Sequence, residues 1–462
     1  MKKILLIFCT ILLTFDLAAQ YGTSSGSLSY VRNANGNSKG YNHLPKSETI
    51  IVEDFFNYHL HQILIPQEEE VALSIDYDSS LLKDEDTFVL QVGIATQPTN
   101  LRQKKQNKAN IALVIDVSSS MSGQKIISAR EAARRFVESL NDGDYISLIV
   151  FNGKAKVIQP AVCLNNNRKP IYKKIEDIVA SGFTNINEGM VYGYKEVSKY
   201  HTQGINSRVV LLTDGQTNRG ITNPEQIVSN SMKYNNKGIE ISTIGVGRSL
   251  DFELLRLLAD KGRGSNYFIG DNEEDMYKVF REELDAILYG VGKEPKLKIE
   301  IPKGWNIAKC YGYKPVSESE NSMVVDLPNL GANSTRVVLL EIRKNGIAKG
   351  SIQASFSYKK GDETISMKEV KAYDTEWVKT NEEISKNHRI AYMANRLKDA
   401  ASAQENGDRE EGEAILNHLL ALYSVEGMID EEDMDMKRVY DIVKQYTPQP
   451  REEKSERYGY IF

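Results

Sequence analysis

The stretch "NIALVIDVSSSMSGQKI", from Asn110 to Ile126, decides the fold. Ile111 to Ile115 form an unbroken apolar run, short enough for a strand that is buried on both faces. The run stops at Asp116 and is followed by hydroxyls at Ser118 and Ser120. In an open parallel α/β sheet, ligands sit at the carboxyl ends of the strands. Three oxygen side chains at alternate positions are therefore delivered to the place where such sheets bind. The next segment, "GQKIISAREAARRFVESL", sets Ile126, Ala129, Ala133, Phe136 and Leu140 at helical spacing.

The same alternation continues on the carboxyl side. "DYISLIVF" and "KAKVIQ" read as strands joined by Asn152-Gly153, a strong hairpin pair. "RVVLLTDG", "IEISTIGVG" and "NYFIG" read as further strands. Between them lie helical patterns, among them "NPEQIVSNSMKYNNKG", with Pro224 near its start and Gly238 at its end. "NEEDMYKVFREELDAIL" closes the region. This order predicts a doubly wound, mostly parallel α/β sheet over residues 108–289.

All-oxygen ligation suits a hard divalent cation: Mg²⁺ first, with Mn²⁺ or Ca²⁺ as alternatives. Asp116, Ser118 and Ser120 cannot complete a six-coordinate shell. "GFTNINEG" adds Thr184 in a loop that opens a helix, and "LLTDG" adds Asp214 at another strand end. Two carboxylates and three hydroxyls would neutralise the ion and leave a position for water or an acidic partner.

"DVSSS", the Thr184 of "GFTN" and the Asp214 of "LLTDG" resemble, in order and spacing, the metal-ion-dependent adhesion site of von Willebrand factor type A domains. The resemblance covers residues 108 to 288. It extends more loosely to "VEDFFNYH", "LQVGI" and the later β-rich segment, which resemble a bacterial exported group and, distantly, the inter-alpha-trypsin inhibitor heavy chains. It implies direct contacts from Ser118, Ser120 and Thr184, contacts through water from Asp116 and Asp214, and a sixth position filled by a partner's Asp or Glu. It also implies that movement of Asp214 couples to the closing helix. One departure is Ser119, where the family usually has Gly; this is not a ligand position and implies a stiffer loop.

The flanks read differently. "MKK" and "ILLIFCTILLTF", followed by "DLAAQ", have the layout of a signal peptide over residues 1–20. The apolar run is shorter than the roughly 20 residues of a membrane span. Cys9 lies inside that run, so a lipid anchor is not expected. Residues 21–48 read as a Gly/Ser/Asn-rich linker, and 49–107 as a β-rich flank containing "VALSIDY" and "TFVLQVGIA". Residues 290–378 read as a β-sandwich-like segment with strands at "PKLKIEI", "SMVVDL", "TRVVLLEIR" and "SIQASFSYK", built together with the earlier flank as one module. Residues 379–447 read as helical, with a break at "ENGD", and 448–462 as a tail.

A net charge of −5 over 462 residues gives no reason to expect nucleic acid. Cys163 and Cys310 fall in different predicted domains and are expected as separate thiols. The cysteines lack zinc spacing, and His59, His61 and His201 are expected as surface or satisfied histidines. No nucleophile elbow or phosphate-loop lysine is present. The functional expectation is an exported, non-enzymatic binding protein that captures a partner's carboxylate through a bound metal, with no membrane span in the mature chain. The alternatives are an envelope scaffold that binds through its flanks and, last, a metal-dependent hydrolase.

Overall fold

The computed structural model describes residues 27–28, 31, 44–82, 86–98, 108–247, 250–269, 273–346, 349–361, 363–374, 379–425 and 433–448. The expected signal peptide, most of the linker and nearly all of the tail lie outside them, as does most of the basic connection before Lys108.

A short helix α1 (Val52–Phe56) and strands β1 (Val71–Asp78) and β2 (Thr87–Thr96) precede the central unit, which begins with β3 (Lys108–Asp116). The central unit continues with α2 (Gln124–Ser139), β4 (Tyr145–Phe151), β5 (Ala155–Cys163), α3 (Lys169–Glu176), α4 (Ile186–Ser198) and β6 (Ile205–Thr213). It ends with α5 (Pro224–Asn235), β7 (Glu240–Val246), α6 (Phe252–Lys261), β8 (Arg263–Ile269) and α7 (Glu273–Leu288). The sheet order is β5-β4-β3-β6-β7-β8. All neighbours are parallel except β4 and β5, which form the hairpin turned at Asn152-Gly153.

The continuous apolar run of β3 follows from its position in the middle of the sheet. Ala109, Ile111, Leu113 and Ile115 pack with residues of α2, α3 and α7 on one face. Ala112 and Val114 pack with residues of α4, α5 and α6 on the other. All five positions expected for the α2 face, Ile126, Ala129, Ala133, Phe136 and Leu140, are buried. Helix α4 sits so close to β3 that a Cβ at Gly193 would stand 2.5 Å from Val114 Cγ2. This close packing fixes the helix that begins just after Thr184.

After the central unit come β9 (Gly290–Glu300), β10 (Asn306–Cys310), β11 (Ser317–Ser319), β12 (Ser322–Asp326), β13 (Leu330–Gly331), β14 (Thr335–Arg343), β15 (Lys349–Lys360) and β16 (Glu363–Asp374). One antiparallel sheet has the order β1-β2-β14-β10, so strands from before and after the central unit share it. The other has the order β11-β12-β9-β15-β16, with β13 also paired to β9. Phe88 of β2 stacks on Tyr373 of β16 at 4.3 Å, and Trp305 meets both rings edge-on.

Three helices end the described chain: α8 (Glu382–Glu405), α9 (Arg409–Val425) and α10 (Met434–Tyr446). Gly407 at φ +86° and Asp408, whose Oδ1 accepts the Glu411 N–H at 3.1 Å, make the break at "ENGD". The helices share one apolar core with both flanking sheets. Every residue of β2 is buried because that strand is covered on both faces. Phe88 points to the sandwich, while Gln91 points to α8 and accepts from Asn387 Nδ2 at 2.9 Å. Cys163 lies in β5 and Cys310 in β10, both as free thiols.

Candidate metal centre

Strand β3 ends at Asp116, and a 3-10 turn at Ser119–Met121 leads to α2. Gly123 at φ +80° makes the reversal into the helix, a conformation that side chains disfavour. Asp116 is fully buried and fixed at both oxygens. Oδ1 accepts the Ser118 N–H at 2.7 Å, and Oδ2 accepts the Thr213 hydroxyl at 2.5 Å. Burial pushes its carboxyl up to about 6, against the opposing pull of the Thr213 and Ser118 hydrogen bonds.

Ser118 Oγ and Ser120 Oγ are 3.0 Å apart, and the Ser120 hydroxyl donates to Asp214 Oδ1 at 2.7 Å. Asp214 directly follows β6. Thr184 precedes α4, and its loop is locked to the Asp214 loop. The Thr184 N–H donates to Asn218 Oδ1 at 2.9 Å, and its carbonyl accepts the N–H groups of Asn218 and Arg219. Gly215 lies beside both hydroxyls: a Cβ there would be 3.5 Å from Thr184 Oγ1 and 3.7 Å from Ser120 Oγ. The structure thus gathers Asp116, Ser118, Ser120, Thr184 and Asp214 at one end of the sheet. Asp116, Ser118, Thr184 and Asp214 are buried, and Ser120 opens to solvent.

Ser119 adds a tie that a glycine lacks in part. Its N–H donates to the Gly182 carbonyl at 3.0 Å, and its Oγ accepts the Gly182 N–H at 2.9 Å. The side-chain bond joins the loop of Ser118 and Ser120 to the loop of Thr184.

The residues fit a hard divalent ion. Oxygens at about 2.1 Å around Mg²⁺ stand roughly 3.0 Å apart along an octahedral edge. The two serine hydroxyls already have that spacing. A positive charge is also held here: Lys125 Nζ donates to Asp214 Oδ2 at 2.6 Å. Lys125 and Thr213 are the two participants that the sequence reading missed. Thr213 stands beside Asp214 in "LLTDG", and Lys125 lies in the first turn of α2. Their nearness to the motif was the available signal. At the rim, Phe183 is 59% exposed and the Arg219 guanidinium lies 5.5 Å from its ring.

The histidines divide. His201 Nε2 donates to the Lys237 carbonyl at 2.8 Å, while its Nδ1 has no hydrogen-bond partner among the described residues, so the ring is only half satisfied. His59 and His61 are both buried; His61 has a partner at each ring nitrogen, and His59 has no hydrogen-bond partner among the described residues. Their burial comes from the docking of α8 and α10 over the segment after α1, which local sequence does not reveal.

A doubly wound sheet presenting two carboxylates and three hydroxyls at its strand ends belongs to the ligand-binding α/β domains. Residues 110–282 match the family model of the von Willebrand factor type A domain, and the chain carries that domain. It is 27% identical over 316 residues to the uncharacterized protein YfbK of Escherichia coli (strain K12), covering 66% of this chain and 54% of that one. It is 29% identical over 198 residues to the human inter-alpha-trypsin inhibitor heavy chain H3, covering 40% of this chain and 22% of that one. The chain therefore spans about half of the first relative and under a quarter of the second. Among solved structures, a von Willebrand factor type A protein from Catenulispora acidiphila aligns with a TM-score of 0.57 at 16% identity, over 80% of this chain and 90% of that one. That likeness is one of fold. Among the described residues, no helix is long and apolar enough to cross a membrane.

Proposed function

We propose that this chain is an exported, non-enzymatic binding protein that captures a protein partner through a divalent ion. Asp116, Ser118, Ser120, Thr184 and Asp214 hold the ion, Mg²⁺ in the first instance, and an Asp or Glu of the partner completes its shell. The observation that carries this reading is the convergence of four other oxygen side chains on an Asp214 that already holds a cation, the Lys125 ammonium. The exposed Phe183 and Arg219 beside Thr184 offer an apolar and a cationic contact to an acidic partner. Both oxygens of Asp116 are engaged, which suits a positioned ligand better than the attacking nucleophile of a hydrolase. Export rests on the layout of residues 1–20.

The test is a calorimetric titration of Mg²⁺ and Mn²⁺ into the chelator-stripped chain, with Asp116→Ala beside it. One saturable site, absent in the variant, supports the reading. Partner capture is then compared with and without chelator. Capture that ignores the chelator would move the binding surface to the flanks.

A further inference from the structure

The segment "HLH" at residues 59–61 follows α1 and lies under the C-terminal helices. Glu383, in the first turn of α8, and Asp435, in the first turn of α10, close over it. The His59, His61 and Glu383 side chains are 5%, 0% and 10% exposed.

The hydrogen bonding around these groups leaves out His59 and sets two acceptors face to face. Asn57 Nδ2 donates to the carbonyls of Glu53 and Val337 at 3.0 and 3.2 Å, and its Oδ1 accepts the Val337 N–H at 2.8 Å. Backbone groups therefore fix the amide with Oδ1 toward His61 Nε2, 3.0 Å away, and that nitrogen carries the hydrogen. In the neutral ring the lone pair is then on Nδ1, which faces Glu383 Oε1 at 3.1 Å, one acceptor against another. Burial pushes His61 down and disfavours a second proton. The nearby donors are Asn387 Nδ2, at 3.2 Å from both atoms and 2.9 Å from Gln91 Oε1, and the Gln62 N–H, at 3.3 Å from Glu383 Oε1; they bond around this acceptor pair without parting it.

His59 is in greater deficit. Neither ring nitrogen has a hydrogen-bond partner among the described residues. The nearest carboxylate oxygens stand at 4.0 Å, Glu383 Oε1 from Nε2 and Asp435 Oδ2 from Nδ1. Burial and the neighbouring His61 push His59 down to about 3, so it is a neutral imidazole with a lone pair to offer. Two neutral imidazoles and a carboxylate, buried and only partly partnered, are a donor set of borderline softness.

We propose that His59 Nε2, His61 Nδ1 and Glu383 Oε1 bind one Zn²⁺ ion, which clamps the N-terminal segment to the C-terminal helices. One ligand atom from each of the three side chains lies within 4.8 Å of the others. A tetrahedral zinc shell with bonds of about 2.0–2.1 Å has edges of roughly 3.4 Å. The His61–Glu383 edge is already of that order, and His59, whose ring no hydrogen bond fixes among the described residues, rotates to close the rest. The outer contacts match those of metal-bound histidine, whose second nitrogen donates to a carbonyl or carboxylate. Asn57 serves His61 in this way, and Asp435 stands ready for His59. The fourth position falls to water or to the second oxygen of Glu383. Lys386 Nζ lies 3.8 Å from Glu383 Oε2 and 3.6 Å from Asp435 Oδ2, so it balances these carboxylates from the outer side. Imidazole ligation selects zinc-like ions over Mg²⁺, which keeps this site independent of the oxygen site around Asp116.

The experiment uses the full chain carrying Asp116→Ala, stripped, loaded with Zn²⁺ alone and dialysed. The proposal expects one Zn²⁺ per chain, a zinc-edge X-ray absorption spectrum with scattering from two imidazoles, and a melting temperature raised by zinc. His59→Gln and Glu383→Gln each weaken zinc binding by more than about tenfold, the loss that even an outer-shell change produces. No retained zinc, or retained zinc without imidazole scattering, overturns the proposal. So does unchanged affinity in both variants. If His59→Gln does not fold, the spectrum of the parent chain and the Glu383→Gln titration still decide. The Mg²⁺ heat at the Asp116 site is a separate readout, so either site can fail alone.

Discussion

At the carboxyl end of the central sheet, Asp116 has a partner at each oxygen, and Asp214 is bonded by Ser120 and Lys125. At the seam under α8 and α10, His59 has no hydrogen-bond partner among the described residues, and the His61 lone pair faces a carboxylate. The first cluster is satisfied before any ion arrives, by a lysine that an ion must displace or outbid. The second is left short by its own fold. The difference teaches how each would respond to its metal: an exchangeable ion at the rim of the sheet, and an ion that belongs to the folded state at the seam.

Several substitutions sharpen that contrast. The largest effect is expected from Asp116→Ala, which should abolish Mg²⁺ heat while the far-ultraviolet circular dichroism stays native. Loss of the native spectrum would make Asp116 a structural residue. Next comes pH. Because burial raises the Asp116 carboxyl to about 6, its protonated form favours folding at low pH, and that contribution is lost as pH rises through about 6. Mg²⁺ competes with the same proton, so its affinity should fall by about tenfold per unit below 6. The rise in melting temperature caused by Mg²⁺ should therefore be larger at pH 7.5 than at pH 5. Equal shifts would mean that another group controls the site.

A smaller gain is expected at Lys125. Replacing it with Met removes the resident cation from Asp214 and should strengthen Mg²⁺ binding by roughly fivefold, about 1 kcal/mol for one neighbouring charge near solvent. Weaker binding in that variant would show that Lys125 holds Asp214 in place for the ion. Smallest is Ser119→Gly, which deletes the hydroxyl tie to Gly182. Stability should fall by about 0.5–1.5 kcal/mol, with Mg²⁺ affinity within about twofold; denaturant midpoints and calorimetry measure the two.

The central unit was legible because its signals are local. Each buried strand is a short apolar run, and Asp116 and Asp214 stand where such runs stop. The parts that escaped depend on position in space. Nothing in "LLTDG" says that Thr213 points at Asp116, and nothing in "GQKI" says that Lys125 reaches Asp214. Strand β16, "ETISMKEVKAYD", was not read because, at the edge of its sheet, charged residues interrupt its apolar alternation. His59 departs from its expectation for the same reason on a larger scale: the carboxylates nearest to it arrive from positions 383 and 435, after the whole central unit.

The central unit is also an insertion, and both of its connections lie at one end. Lys108 starts β3 opposite Ile205, and the Ile287 carbonyl, at the end of α7, accepts from Asn206 Nδ2 at 2.7 Å. The Asp116 cluster lies at the other end of the same strands. A pull between a captured partner and the flanking sheets would therefore run along β3 and β6. Tension in that direction loads their ladder of hydrogen bonds together, in shear, where a pull across the strands would open them one at a time. The unit is connected like a grip whose load path follows its stiffest axis.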